Sequence, residues 1–283
     1  MDKLLFVFFQ YIIPKHLLSR LVGMLARSEV PFIKNNFIKL FIKLYDINMK
    51  EACDENIDSY ISFNEFFSRR LKAGSRIIDQ GNKSVVSPVD GAISQIGLIK
   101  KGRIIQAKGK YFNLFQFLGG DKNLFDEFKS GLFATTYLSP KDYHRVHMPF
   151  EGKLRQMIYI PGQLFSVNPT TANSINNLFA KNERLVCIFD TVFGPMAVVL
   201  IGALIVSGIH VKWENKIINK KKIQKYIYPT FGKDQVKLNK GEELGKFMLG
   251  STVVVCFPHN KITWLKNLSN NSIVKMGEII GSF

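Results

Sequence analysis

The sequence predicts an α+β protein, a mostly-β body with amphipathic N-terminal helices. Three observations carry that reading. Apolar residues recur at helical spacing up to about residue 60, and from about residue 75 short β-branched runs alternate with Gly, Pro and Asn. The chain has 283 residues, enough to bury roughly 75% of the surface it exposes when unfolded. The expected division is therefore a helical region over residues 1–60 and a β-rich domain over residues 61–283.

Composition narrows the function classes. With 46% hydrophobic residues, 22% charged residues and 24 Phe, the chain is neither disordered nor fibrous. Its formal charge of +17 favours a polyanionic partner: nucleic acid, an acidic substrate or an anionic membrane face. Cys53, Cys187 and Cys256 are odd in number and form no C-x-x-C pair, so neither a disulfide framework nor a thiolate zinc site is expected.

The first element, Leu4 to Ile13, is apolar but far short of the ~20 residues that span a bilayer, and it carries no evident signal-peptide cleavage site. After Pro14, "KHLLSRLVGMLAR" gathers Leu17, Leu18, Leu21, Val22 and Leu25 on one helical face, with Arg20 and Arg27 off it. The third segment opens at Pro31, a residue tolerated at a helix start. It sets Phe37, Leu40, Phe41, Leu44 and Tyr45 against Asn35, Asn36, Lys39 and Lys43. Three aromatic-rich segments in so basic a chain suggest an interfacial membrane anchor.

In the body, "KSVVSPVDGAISQIG", "GRIIQAKGKY", "LRQMIYIPG" and "GSTVVVCFP" read as strands, and "NLFQFLGGDKNLFDEFKSG" as one or two short helices. Met196 to Val206 reads as two buried strands around Gly202, and "NKKKIQK" at 219–225 as a solvated loop. In "SPKDYHRVHMPFEG", His144 and His147 have H-x-x-H spacing, but no further ligands accompany them and no metal site is expected. If this stretch is extended, the two rings point to opposite faces and take separate roles. Asp90, His147 and Ser251 occur in one of several chain orders that assemble a carboxylate, a base and a nucleophile. The G-x-S-x-G elbow of hydrolases is absent, because Val253 stands where its second Gly would be.

"FNEFFSRRLKAGSR", "SPVDG", "YHRVHMP", "PGQLFSVNP", "LFAKNERLVCIFDTVFGPMA" and "LGST" together resemble the bacterial phosphatidylserine decarboxylase family, in its order and over essentially the whole chain. The chain departs from the family at 206–209, where "VSGI" stands in place of Val-Gly-Ser-Ile. The resemblance implies a proenzyme that cuts itself between Gly250 and Ser251. Ser251 Oγ attacks the Gly250 carbonyl, His147 takes the proton and Asp90 orients the imidazole. Gly250, lacking Cβ, admits the hydroxyl and a twisted backbone. Elimination from the resulting ester and hydrolysis leave Ser251 as a pyruvoyl group, the covalent cofactor, with loss of ammonia.

The product is a heterodimer of a β chain (1–250) and an α chain (251–283), itself expected to pair as a homodimer. Its substrate is phosphatidylserine in an anionic membrane, decarboxylated to phosphatidylethanolamine and CO2, and nucleic acid is not a partner. His144 is nominated as the acid that reprotonates the carbanion, on the ground that a histidine titrates near neutral pH. Residues 1–60 then become a membrane-associating region, 61–283 the catalytic domain, and the location the cytoplasmic face of the cell membrane, peripherally bound. Two other classes compete. A serine hydrolase would label at Ser251 in an uncut chain, and a non-enzymatic basic β-domain would bind anions with steep salt dependence.

Overall fold

The computed structural model describes residues 3–204, 208–214, 221–248 and 251–283. Helices α1 (Lys3–Ile12), α2 (Lys15–Ala26), α3 (Pro31–Tyr45) and α4 (Phe63–Phe67) precede strands β1 (Ser84–Val86), β2 (Gly91–Leu98), β3 (Arg103–Ala107) and β4 (Lys110–Asn113). α5 (Leu114–Phe117) and α6 (Lys122–Phe128) lead to β5 (Leu132–Leu138), β6 (Arg145–His147) and β7 (Gly152–Ile160). α7 (Pro169–Ser174) and α8 (Leu178–Lys181) are followed by β8 (Arg184–Thr191), β9 (Gly194–Ile201), β10 (Ile209–Val211), β11 (Gln224–Ile227) and β12 (Lys237–Leu238). The chain closes with β13 (Glu243–Phe247), β14 (Ser251–Phe257), β15 (Thr263–Trp264), β16 (Ile273–Val274) and β17 (Ile279–Ser282).

Among the described residues the body is built on a nine-stranded sheet in the order β11-β7-β8-β9-β14-β5-β2-β16, with β12 also on β7. Smaller sheets join β1-β17-β15, β10-β13-β6 and β3-β4. β14 is central, antiparallel to β9 on one side and β5 on the other. Its alternation serves two cores: Val253, Val255 and Phe257 belong to one, Val254 and Cys256 to the other. A strand buried on both faces needs apolar residues without interruption, which is why "VVVCF" is continuous.

Two expectations need correction. Met196 to Ile201 belongs to the single strand β9; Gly202 lies beyond it, its N–H donating to the Glu183 carbonyl at 2.8 Å. The glycine thus ends a strand instead of dividing two, and part of the 206–209 departure lies outside the described residues. Likewise only Lys221 to Ile223 of the basic cluster form an exposed loop; Gln224 starts β11, which pairs with β7, and residues 219–220 lie outside the described residues.

The N-terminal helices turn unusual faces outward. In α2 the buried side chains are Lys15, Ser19, Gly23 and Ala26. Leu17, Leu21 and Leu25 are 52%, 48% and 54% exposed. Leu40 and Leu44 of α3 are exposed as well, whereas Phe37 and Phe41 pack on α4, the Phe37 and Phe63 rings stacking at 4.1 Å. α1 is fastened to the body by Gln10, whose Nε2 donates to Thr171 Oγ1 at 3.1 Å and whose Oε1 accepts from Ser166 N–H at 2.9 Å. α1 and α2 meet at 90°, and no single described helix is long and apolar enough to cross a membrane.

Gly131 seats the far end of β14. A Cβ there would lie 1.9 Å from the Phe257 carbonyl oxygen, so only a residue without one permits β5 to start in register. Gly131→Ala should destabilise the full-length chain by at least the 1–3 kcal/mol or so of ordinary overpacking. Urea unfolding checks this; an unchanged midpoint would mean that the strands separate at no cost.

Candidate functional site

Ser251 opens β14 opposite Leu138 of β5. Its side chain is wholly buried and its Oγ has no hydrogen-bond partner among the described residues. An unpartnered buried hydroxyl costs about 1–3 kcal/mol, so its retention at the head of a core strand calls for a chemical reason. It lines a cavity of about 320 Å³ walled mainly by apolar groups. Phe6 of α1, Phe41 and Tyr45 of α3, Phe67 of α4, and Tyr137 and Leu138 of β5 contribute. α3, which exposes Leu40 and Leu44 outward, therefore also walls the serine's cavity. Gly250, the other half of the expected scissile bond, lies outside the described residues.

His144 stands at the same end. β13 runs antiparallel to β6, pairing Glu243 with His147, and Phe247 N–H donates to the His144 carbonyl at 3.0 Å before the chain continues to Ser251. The His144 ring is fully buried and stacks on Phe67 at 4.0 Å. Its Nε2 lies 3.1 Å from the Ser139 carbonyl oxygen. A carbonyl can only accept, so Nε2 carries the proton, and Nδ1 is left with a lone pair and no partner. Burial, assisted by the Arg69 charge, pushes this imidazole down to about 3. That overturns the expectation that it titrates near neutrality: in this chain His144 is a neutral ring offering a proton acceptor.

His147 and Asp90 are neighbours, since His147 N–H donates to the Pro88 carbonyl at 2.8 Å, but the expected hydrogen bond between them is not made. His147 Nδ1–H donates to the Gly241 carbonyl at 2.8 Å and Nε2 accepts from Tyr143 Oη–H at 3.0 Å. Burial lowers the His147 pKa, against the opposing bond to Gly241. The Asp90 carboxylate is claimed instead by the Arg76 guanidinium, with Nε 2.9 Å from Oδ1, and by the Met276 N–H at 2.8 Å. Arg76 Nη2 also reaches Glu51 Oε2 at 2.7 Å. A fork of fixed donors satisfies a carboxylate better than one imidazole N–H can, and the Gly241 carbonyl holds the tautomer that Asp90 was expected to hold.

The site thus has two ends. Ser251 and His144 are linked through Phe67, which lines the serine's cavity and stacks on the imidazole, and Asp90 and His147 lie at the other end of β6. Arg76, Gly241, Tyr143 and Phe67 were missed by sequence reasoning, although Arg76, Phe67 and Tyr143 all fall inside motifs already quoted. Nothing in the chain around Gly241 marks its carbonyl as a histidine partner.

Comparison with known proteins gives one consistent answer. A family model described as phosphatidylserine decarboxylase matches residues 63–282, and a second, described as PSD, matches residues 5–46. Among curated relatives, the phosphatidylserine decarboxylase proenzyme of Alcanivorax borkumensis is 51% identical, covering 100% of this chain and 97% of the relative. Those of Ectopseudomonas mendocina and Hahella chejuensis are 47% and 49% identical, covering 100% and 98% of this chain and 99% and 93% of the relatives.

The two buried imidazoles make the fold sensitive to acid. The folded pKa of His144 lies below its ordinary 6.5, so below that value the unfolded chain binds more protons and stability falls with pH. His147 acts in the same direction. Uncleaved Ser251→Ala protein should lose up to about 1.4 kcal/mol per pH unit per imidazole on acidification from about pH 6.5. Urea midpoints across that range should fall less steeply once His144→Gln is added; equal slopes would show that His144 is not held neutral by burial.

Proposed function

This chain belongs to the phosphatidylserine decarboxylase family and decarboxylates phosphatidylserine; we propose that it does so with a pyruvoyl group made from its own Ser251. The observation that carries the proposal is the orphaned Ser251 hydroxyl, buried at the head of a central strand and lining an apolar cavity beneath outward-facing leucines. In processing, Ser251 Oγ attacks the Gly250 carbonyl carbon and the peptide becomes an ester. Loss of the Ser251 Cα proton expels the Gly250 carboxylate, and hydrolysis of the resulting enamine releases ammonia. Severed chains 1–250 and 251–283 stay together as a heterodimer because β14 is hydrogen-bonded on both sides and β17 lies between β1 and β15.

The residues around Ser251 fit such a group, and a ketone there supplies an electron sink for an amine-bearing substrate. The apolar walls exclude water and disfavour a localised headgroup carboxylate. His144 Nδ1 takes the proton that the headgroup ammonium must lose on reaction and returns it to carbon after CO2 departs; decarboxylation takes up one proton overall, which solvent supplies to the amine as product leaves. Arg69, whose charge keeps the ring from being protonated early, supports that order.

For the processing step we assign the base to His147, as the family motifs suggest, with its tautomer held by the Gly241 carbonyl and the Asp90 charge nearby instead of hydrogen-bonded to it. Its Nε2 is covered by the Tyr143 hydroxyl, so the step requires that contact to open. A second reading is favoured by the register of β6 and β13: His144, at the Ser251 end with Nδ1 uncovered, is the processing base as well.

The inverted faces of α1–α3 support peripheral membrane docking, proposed here on the cytoplasmic side of the cell membrane, with residues 1–60 as the docking region and 61–283 as the catalytic domain. Leucines turn toward acyl chains and the positive charge toward anionic headgroups, each Lys or Arg near the surface adding about 1 kcal/mol. The processed heterodimer is also proposed to pair as a homodimer.

Intact mass tests the core of this reading: wild-type protein should give two chains, the smaller starting at position 251 and lighter by one ammonia than its encoded sequence, and Ser251→Ala one uncut chain. A single full-mass chain from wild type would overturn it. Processing of His144→Ala and His147→Ala separates the two bases, since only the variant lacking the base stays uncut. Replacing Leu21 and Leu25 by Asp should weaken binding to phosphatidylserine-containing vesicles by about tenfold or more, each buried leucine being worth roughly 1.5–3 kcal/mol; undiminished binding would rule out this docking face.

A further inference from the structure

We propose that Asp142 is a positioning residue for decarboxylation: acting through Ser139, it holds the carbonyl that decides which nitrogen of His144 bears the proton. The inference deepens the reading of His144 given above and rests on it.

The loop that carries both residues leaves β5 at Leu138, the residue paired with Ser251, and returns as β6. Asp142 Oδ2 accepts from Ser139 N–H and from Ser139 Oγ–H, both at 2.7 Å. Asp142 N–H donates in turn to the Ser139 carbonyl at 3.0 Å. The same carbonyl accepts the His144 Nε2–H. The two peptide units that flank Ser139 are thereby each held, the Leu138–Ser139 unit through its N–H and the Ser139–Pro140 unit through its oxygen, and that oxygen meets the imidazole. Phe67, stacked on the ring, fixes the ring plane. With Nε2–H committed to that oxygen, the lone pair has to reside on Nδ1, the nitrogen without a partner.

The choice of residue supports a role beyond capping a turn. An aspartate that only caps a turn does so at little cost on the surface. This one is half-buried, and burial, with Asp90 assisting, raises its pKa against the Ser139 bonds and Lys141. The charged group bearing on His144 is Arg69, which opposes protonation whichever nitrogen is involved. Selection between the two neutral tautomers is left to backbone groups, the Ser139 carbonyl at Nε2 and Pro140 next to it in the chain.

The test uses processed wild-type enzyme and Asp142→Ala, assayed on phosphatidylserine in mixed micelles. Loss of the lock should lower kcat about 10- to 100-fold, the range for a misplaced proton carrier, while KM changes by less than about threefold. In 15N-histidine NMR of the full chain, His144 should change from the Nε2–H tautomer to a mixture, which a merely structural role would not produce. An unchanged kcat, or a lowered kcat with the Nε2–H tautomer retained, would overturn the inference. If Asp142→Ala does not fold, Asp142→Asn, which keeps an acceptor oxygen but loses the charge, is judged by the same two readouts. His144→Ala separates the two layers of argument. Full decarboxylation by His144→Ala would remove the reading of His144 itself, whereas its loss alongside normal turnover in Asp142→Ala would remove only the role of Asp142.

Discussion

The structure depends on the placement of β14 between β9 and β5. That strand is hydrogen-bonded on both sides and buried on both faces, so its first residue is fixed by the register of two neighbours and by the packing of two cores. Ser251 is held in a way that no loop residue could be. The cost is a hydroxyl without a partner, a common signature of a site whose chemistry requires the group to be free. Even the glycine at the opposite end serves this placement, since Gly131 lets β5 pass close against the Phe257 carbonyl.

The helical region repeats the same economy of position. Phe6 of α1 and Phe41 and Tyr45 of α3 wall the cavity, and Leu5, Leu40 and Leu44 of the same two helices stand outside. One layer of helices thus separates the buried serine from the surface proposed to meet lipid. A polar headgroup drawn inward exchanges water for a mostly apolar enclosure, the condition under which loss of a carboxylate is favoured.

Much of this was legible in the chain. "STVVVCF" announces a doubly buried strand, the helical periodicities of residues 1–45 are visible, and the motif residues Asp90, His144, His147 and Ser251 all fall in the body. What could not be read were relations fixed by tertiary contact. Periodicity shows that α2 has an apolar face but not that the face points outward, since which side of a helix packs inward, here that of Ser19, Gly23 and Ala26, is decided by its neighbours in the fold. The His147 tautomer is set by Gly241, 94 residues away, and Asp90 is captured by Arg76 before any imidazole reaches it. The expectation for His144 failed for a similar reason: its ordinary pKa belongs to a solvated ring, and nothing in "YHRVHMP" tells that this one is sealed against Phe67.

The central position of β14 also governs how long such a molecule lasts. A chain cut at its head becomes two pieces whose association is topological as much as energetic, with the shorter piece threaded through the middle of the sheet. Once denatured, the pieces would have to find each other by diffusion, and the connection that first guided the strand into place would no longer exist. With processing as proposed, assembly would be a one-time event, and a prosthetic group carved from the backbone could be neither exchanged nor replenished. Each molecule would be made active once, and its working life would be the life of the fold itself.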